Sequence, residues 1–366
     1  MQQNGLMRIT AVFTVLFAAA ALTVVFYYSS HKLIVVTDLA QDEVLHNAAD
    51  VEQSHTETMV PSKENEIIFD QSSQEMNYFC IPMPESIRAD VVTVENHYMD
   101  RELWVSIRQN TNQEKELYKE FYQTTGVYGN RTAVKEGSYE IGDDVFWLKF
   151  ELTDIYEYRS IFEDHNLYIE FVTPKEVYDK IVVIDPAYGG KVTGAVSGDQ
   201  QGKDITLAIA RELKTLLDET DIKVYYTRMN DSYPTEENRT ELTNAAKADM
   251  LIRIEVNENE DTKVYGTEAV YNSKFFIPGF GSIELADLLE REVVTAISGK
   301  ANGLIESTED DIVVNKVTVP AAAIRVGYVS NGQESILLNR DDYVNKIANG
   351  IYQTIRTVYE EYEPDK

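Results

Sequence analysis

The sequence predicts a layered α/β domain with a largely parallel central sheet over residues 179–366. A small, mostly β domain at 66–176 and an N-terminal transmembrane helix precede it. Three observations carry this reading. Apolar runs of the buried parallel-strand type, such as IVVID at 181–185, alternate with amphipathic stretches of helical period. Short aromatic and β-branched runs fill residues 67–172 between turn residues. Residues 9–28 read ITAVFTVLFAAAALTVVFYY, 20 residues without a charge, enough to cross a ~30 Å hydrocarbon layer as a helix.

The apolar run at 9–28 ends in bulky Phe26, Tyr27 and Tyr28. A cleavable signal peptide has a shorter apolar region and small residues at its end, so the pattern favours an uncleaved anchor. Arg8 precedes the run and Lys32 follows it, which leaves the charge rule for orientation nearly balanced. The expected arrangement is a cytoplasmic tail at 1–8, a single-pass anchor at 9–28 and the bulk of the chain outside the cell membrane. Residues 29–65 are polar and acidic and read as a linker, with His46 and His55 solvated in it.

Within the β domain the expected strands are IIF at 67–69, VVTV at 91–94, LWVSI at 103–107, VFWLKFEL at 145–152 and LYIEFV at 167–172. Alternation along VFWLKFEL puts Phe146, Leu148 and Phe150 on one face. TNQEKELYKEFYQTTG between them carries a short helical pattern. His97 and His165 lie too far apart in sequence to read as a ligand pair.

The C-terminal block continues strand by helix. DITLAIARELKTLLDET gives a helix with Ile205, Ile209, Leu213 and Leu216 on one face and Asp204 placed to cap it. IKVYYTR, MLIRIEV, GTEAVYN, IVV at 312–314 and AAIRVGYV read as strands. Helices are expected near 236–248, over 283–297 and at the end, where Val344, Ile347, Ile351, Ile355 and Val358 recur at helical spacing.

Sixty-two acidic residues against 33 basic ones give a net charge of −29. That balance argues against nucleic acid or an anionic membrane surface as a partner, because both require a basic face. The single cysteine, Cys80, excludes an intrachain disulfide.

In an open α/β sheet, sites form at the carboxyl ends of the strands. Here those ends carry DPAYGGKVTG, EVNEN and GYVSN. Together with KDITLAIARELKTLL, KVYYTRMND, NRTELTNAAKADMLIRIEVN, GTEAVYN and VPAAAIRVGYVSN, they resemble in order the zinc-dependent N-acetylmuramoyl-L-alanine amidases of bacterial cell walls. The resemblance covers roughly residues 179–361. It implies the amidase fold, and in that family three residues bind zinc: a histidine in a DPGHGG turn, a glutamate before the first long helix and a histidine at a strand end. A further glutamate acts as general base beside the zinc-bound water.

Carried onto this chain, the first histidine falls on Tyr188, the zinc-binding glutamate on Gly202, the second histidine on Glu255 and the general base on Arg325. Residues 181–366 contain no histidine at all. The resemblance thus implies a degenerate member without its zinc, and no catalytic or metal-binding residue is expected. The vestigial cleft is expected to comprise Tyr188, Gly189, Gly190, Glu255, Asn257 and Arg325, with Asp199 a nearby carboxylate. Buried charges persist only when paired, so Glu255 and Arg325 are expected to form an ion pair with Tyr188 packed over it. Arg228 and Arg239 are expected to hold the fold through ion pairs. The upstream β domain stands where many of these amidases carry a wall-targeting β module, although its strands do not follow that module's pattern.

The function this implies is a membrane-anchored, catalytically inactive amidase-like protein of the bacterial envelope. Its partner would be peptidoglycan or a protein of cell-wall remodelling or division. Two other readings stand beside it: an active amidase with non-standard ligands, and a purely structural envelope protein.

Overall fold

The computed structural model describes residues 65–70, 76–109, 111–274 and 277–362. The expected anchor at 9–28 and nearly all of the linker lie outside them. Among the described residues no helix is long and apolar enough to cross a membrane.

The N-terminal part consists of β1 (Phe79–Pro82), β2 (Val92–His97), β3 (Glu102–Arg108), α1 (Asn112–Thr124), β4 (Tyr128–Gly129), β5 (Val134–Ile141), β6 (Val145–Leu152), β7 (Glu157–Glu163) and β8 (Asn166–Val172). They form two antiparallel four-stranded sheets, β4-β1-β8-β7 and β2-β3-β6-β5. The sheets meet across one apolar core, where Phe79 of the first sheet stands edge-on to Phe150 of the second at 5.1 Å. Phe146, Leu148 and Phe150 are all fully buried, as their alternation requires. Helix α1 starts at Thr111 through a reciprocal bond set with Glu114, and its Tyr122 stacks on Phe146. Strands β1, β4, β5 and β7 have no counterpart among the expected ones. β5 and β7 read as mixed polar sequence because much of their surface is solvated, while β1 and β4 are only four and two residues long.

A short helix α2 (Pro174–Val177) leads into the α/β part. Its elements are β9 (Ile181–Pro186), the hairpin β10 (Val196–Ser197) and β11 (Gln200–Gln201), α3 (Gly202–Leu217), β12 (Lys223–Tyr226), α4 (Glu236–Ala245), β13 (Met250–Asn257), β14 (Thr267–Tyr271), α5 (Ser282–Ile297), β15 (Ala301–Glu306), α6 (Ile312–Lys316), β16 (Ala321–Tyr328), α7 (Gly332–Leu338) and α8 (Asp341–Thr357). The six-stranded sheet has the order β12-β9-β13-β16-β14-β15. All its pairings are parallel except β14 against β16, so the sheet is mixed.

Three readings of the sequence are corrected here. Residues 312–314 are not a strand but the start of α6; Val313 and Val314 are buried there as neighbours on a helix. The N-cap of α3 is Gln201, without a side-chain cap, and Asp204 lies in the first turn, where a negative charge faces the helix dipole. Residues 67–69, expected as a strand, form none, and Phe69 makes only an isolated bridge to Val127. Strand β15 and helix α7 were not among the expected elements.

Strand alternation assigns the two faces of the sheet. Val182, Ile184, Ile252, Ile254, Ile324 and Val326 pack under α3, α5 and α8. Ile181, Val183, Leu251, Ala321 and Ala323 face the other way, toward α4, α6 and two side chains of the β part, Tyr98 and Ile155. The two parts are therefore joined by shared core. Tyr98 also seals the outer strand: its hydroxyl donates to the Tyr226 carbonyl at 2.8 Å and accepts from the Tyr226 amide at 3.2 Å. Around it, Lys223 pairs with Glu157 at 3.0 Å and Arg101 with Glu241 at 2.9 Å.

Removing the Tyr98 hydroxyl leaves two backbone groups without that partner. Tyr98→Phe is expected to lower unfolding free energy by about 1–3 kcal/mol, read from the midpoint of urea denaturation. An unchanged midpoint would mean that water replaces the hydroxyl.

Candidate functional site

The same alternation that buries Val183, Leu251 and Ala323 sends the next side chains on that face, Asp185, Arg253 and Arg325, to the carboxyl ends of their strands. Register aligns them: Arg253 lies opposite Asp185, Glu255 opposite Arg325, and Arg325 opposite Glu268 of β14. Four neighbouring strands thus place charged side chains in a row beneath the sheet's end.

Every member of the row is paired. Arg239 of α4 contacts Asp185 Oδ1 through Nη1, and both side chains are 0% exposed. Arg253 Nη1 reaches Asp185 Oδ2 at 2.5 Å and Glu236 Oε2 at 3.0 Å, while its Nε donates to Glu255 Oε1 at 2.7 Å. The other Glu255 oxygen accepts from Arg325 Nε at 3.1 Å, the ion pair expected from the sequence. Arg325 goes further: Nη1 donates to Glu268 Oε1 at 3.3 Å and Nη2 to Asp311 Oδ1 at 3.0 Å. Glu268 in turn accepts from Asn257 Nδ2 at 2.8 Å and from the Tyr328 hydroxyl at 3.1 Å.

The electrostatics follow from burial and these partners. Burial alone would raise the Asp185 carboxyl, but Arg239 and Arg253 overcome it and hold Asp185 well below the usual carboxylate range. Burial disfavours charge on Arg325, yet Glu255, Asp311 and Glu268 raise its pKa above the ordinary arginine value. Arg253 is raised likewise by Asp185, Glu255 and Glu236 against its burial.

Tyr188 stands beside the charged row, within reach of the charges of Glu255, Arg253 and Arg325. It is a bulky residue at φ +69°, a conformation that only surrounding structure sustains. Its hydroxyl donates to the Val256 carbonyl at 3.3 Å, and its ring lies against Gly194 and Gly202. A Cβ at Gly194 would fall 2.5 Å from the ring, and one at Gly202 3.3 Å from Cε2. Positions 188 and 202 are therefore in direct contact: the tyrosine ring uses the room that glycine leaves at 202. Burial, and then the charge of Glu255, raise the Tyr188 phenol far above its ordinary value and keep it neutral.

Gly189 and Gly190 form the turn after Tyr188, and the Gly190 amide donates to the Asp231 backbone carbonyl and to its side chain, both at 2.9 Å. Asp199 is exposed in the β10–β11 turn, away from the row. Arg228 is not an ion-pair residue: it donates to the carbonyls of Pro186, Ala187, Lys203 and Asn230, all at 2.9 Å. Burial, aided by neighbouring Arg239, brings its pKa down to about 10. Sequence reasoning missed Arg253, Asp185, Glu236 and Asp311. Their signal was an arginine and a glutamate two apart in the otherwise apolar MLIRIEV, which strand alternation places on one face.

These positions do not fit a hydrolytic zinc. Tyr188 offers a neutral phenol already bonded to a carbonyl, Gly202 offers no donor, and both oxygens of Glu255 are bonded to guanidinium groups. Among the described residues no group of three or more His, Cys, Asp or Glu side chains is arranged to hold a metal ion.

Two measurements follow. Gly202→Glu is expected to cost about 1–3 kcal/mol by overpacking. Tyr188→Ala should cost less in that background than in the native chain, a coupling of at least ~0.5 kcal/mol in a double-mutant cycle. Additive costs would separate the two positions. The depressed Asp185 pKa adds stability that is complete above the unfolded carboxylate value of ~3.9 and is lost as pH falls from there through Asp185's own lower value. Asp185→Asn should therefore flatten the acid limb of a stability–pH profile below about pH 4; an unchanged limb would assign acid unfolding to other groups.

Residues 182–357 match the N-acetylmuramoyl-L-alanine amidase family profile. The chain is 28% identical over 234 residues to the germination-specific N-acetylmuramoyl-L-alanine amidase of Bacillus subtilis (strain 168), covering 59% of this chain and 95% of that one. It is 28% identical over 182 residues to the uncharacterized protein YqiI of the same organism, covering 50% and 86%. The catalytic domain of CwlV, an N-acetylmuramoyl-L-alanine amidase from Bacillus (Paenibacillus) polymyxa var. colistinus, aligns at 27% identity and a TM-score of 0.46 over 50% of this chain and 99% of that one. Residues 182–357 thus form a domain of the N-acetylmuramoyl-L-alanine amidase family.

Proposed function

We propose that this chain is a membrane-anchored, catalytically inactive amidase-fold protein of the bacterial cell envelope that acts by binding rather than by hydrolysis. The observation that carries the proposal is Arg325, whose guanidinium lies among Glu255, Glu268 and Asp311 at the position the family gives to its general base. A general base must accept a proton near neutral pH. Arginine remains protonated there, and its carboxylate neighbours reinforce the charge. With Gly202 and Glu255 at two of the family's zinc positions, the chain would hold no catalytic zinc and activate no water.

The uncharged run at 9–28 supports the anchor, and the family supports the bacterial wall as the setting. Peptidoglycan and proteins of wall remodelling are the partners that suit this setting. Tyr188 and the charged row occupy the strand ends with the protein's own side chains, which favours regulation or scaffolding through an outer surface over capture of a stem peptide at the old centre.

The test is made on the full chain, purified in detergent, equilibrated with zinc and desalted. Metal analysis is expected to give far less than one zinc per chain, and incubation with peptidoglycan to release no stem peptide, while co-sedimentation with wall sacculi or capture of a wall-remodelling protein reports binding. One tightly held zinc per chain together with peptide release would overturn the proposal and restore the active-amidase reading.

A further inference from the structure

We infer that Arg325 is a built-in cation: its side chain supplies, from within the chain, the positive charge that three converging carboxylates require. Each guanidinium nitrogen has its own partner from a separate segment. Nε takes Glu255 of β13, Nη1 takes Glu268 of β14, and Nη2 takes Asp311 of the connection between β15 and α6. The three carboxylate side chains are 11%, 8% and 9% exposed, and the Arg325 side chain 23%, so water does little to shield one carboxylate from another.

The remaining bonds of these acids show what depends on the charge. Asp311 Oδ2 also accepts from the amide of Thr308 at 2.7 Å, so Arg325 pulls the β15–α6 connection onto the strand ends. Glu255 also binds Arg253, which ties Arg325 to the Asp185 centre. The planar, three-sided donor set of a guanidinium matches this arrangement, whereas the ammonium of lysine presents a single point of charge. The inference concerns the architecture of the site and stands independently of whether the chain hydrolyses anything.

The experiment uses the full chain carrying Arg325→Ala, with guanidinium ion as the probe at millimolar, non-denaturing concentrations. Loss of the charge is expected to lower the thermal unfolding midpoint by roughly 10 °C. Guanidinium ion should recover part of that loss in a saturable manner, while equal sodium chloride recovers less and the unsubstituted chain gains nothing. A folded Arg325→Ala chain that responds alike to guanidinium and sodium would overturn the inference. Where Arg325→Ala does not fold, Arg325→Gln is compared with Arg325→Gln/Glu268→Gln. A charge-balancing role requires the double variant to melt higher than the single one, and an equal or lower midpoint would reduce Arg325 to packing. Zinc content of the native chain is a separate readout, so failure here and failure of the inactive-amidase reading are told apart.

Discussion

The fully buried contact between Asp185 and Arg239 is the constraint on which the strand-end region rests. A carboxylate with no exposure survives only where opposite charge and hydrogen bonds replace its water. Asp185 obtains these from Arg239, Arg253 and the Thr227 hydroxyl. Each arginine then needs further acceptors. Arg239 turns to the Pro186 and Tyr188 carbonyls, and Arg253 to Glu236 and Glu255. The row of charges ending at Asp311 is the outcome of that chain of requirements, and it locks β9, β13, β16, β14 and helix α4 in one relative position.

Much of this could be read from residue order. The parallel strands are apolar on both faces, so IVVID and MLIRIEV are legible without any partner. Long amphipathic helices such as α5 and α8 are equally plain, and so is the conflict between the family's zinc chemistry and the residues at 188, 202, 255 and 325. The Glu255–Arg325 pair followed from the cost of burying charge. What the residue order hid was tertiary. Ile312–Lys316 has strand-like composition, but its two buried valines are consecutive and face α4 and the sheet from a helix. Strand β15, ANGLIE, has no alternation because it is an outer strand with most of its surface exposed. The positive φ of Tyr188 and the packing of its ring on two glycines are likewise encoded by no periodicity.

The contact between Tyr188 and Gly202 also bears on how such a site is altered. The ring and the glycine at 202 are complementary in volume, while the Arg325 cluster is complementary in charge. Interiors are close-packed and resist partial change, so a site of this kind shifts as a set.

The Tyr98 hydroxyl that bonds both backbone groups of Tyr226 has a meaning for the behaviour of many copies together. Open sheet edges are templates for strand pairing between molecules, and such pairing leads to polymers. At the β12 edge the chain spends a hydroxyl of its own on that template. At the opposite edge, β15 carries an extra residue, since Thr267 pairs with Ala301 and Glu268 with Gly303, and a bulge breaks the regular ladder that an incoming strand would need. Both borders of the sheet thus carry a local feature that disfavours pairing with an incoming strand.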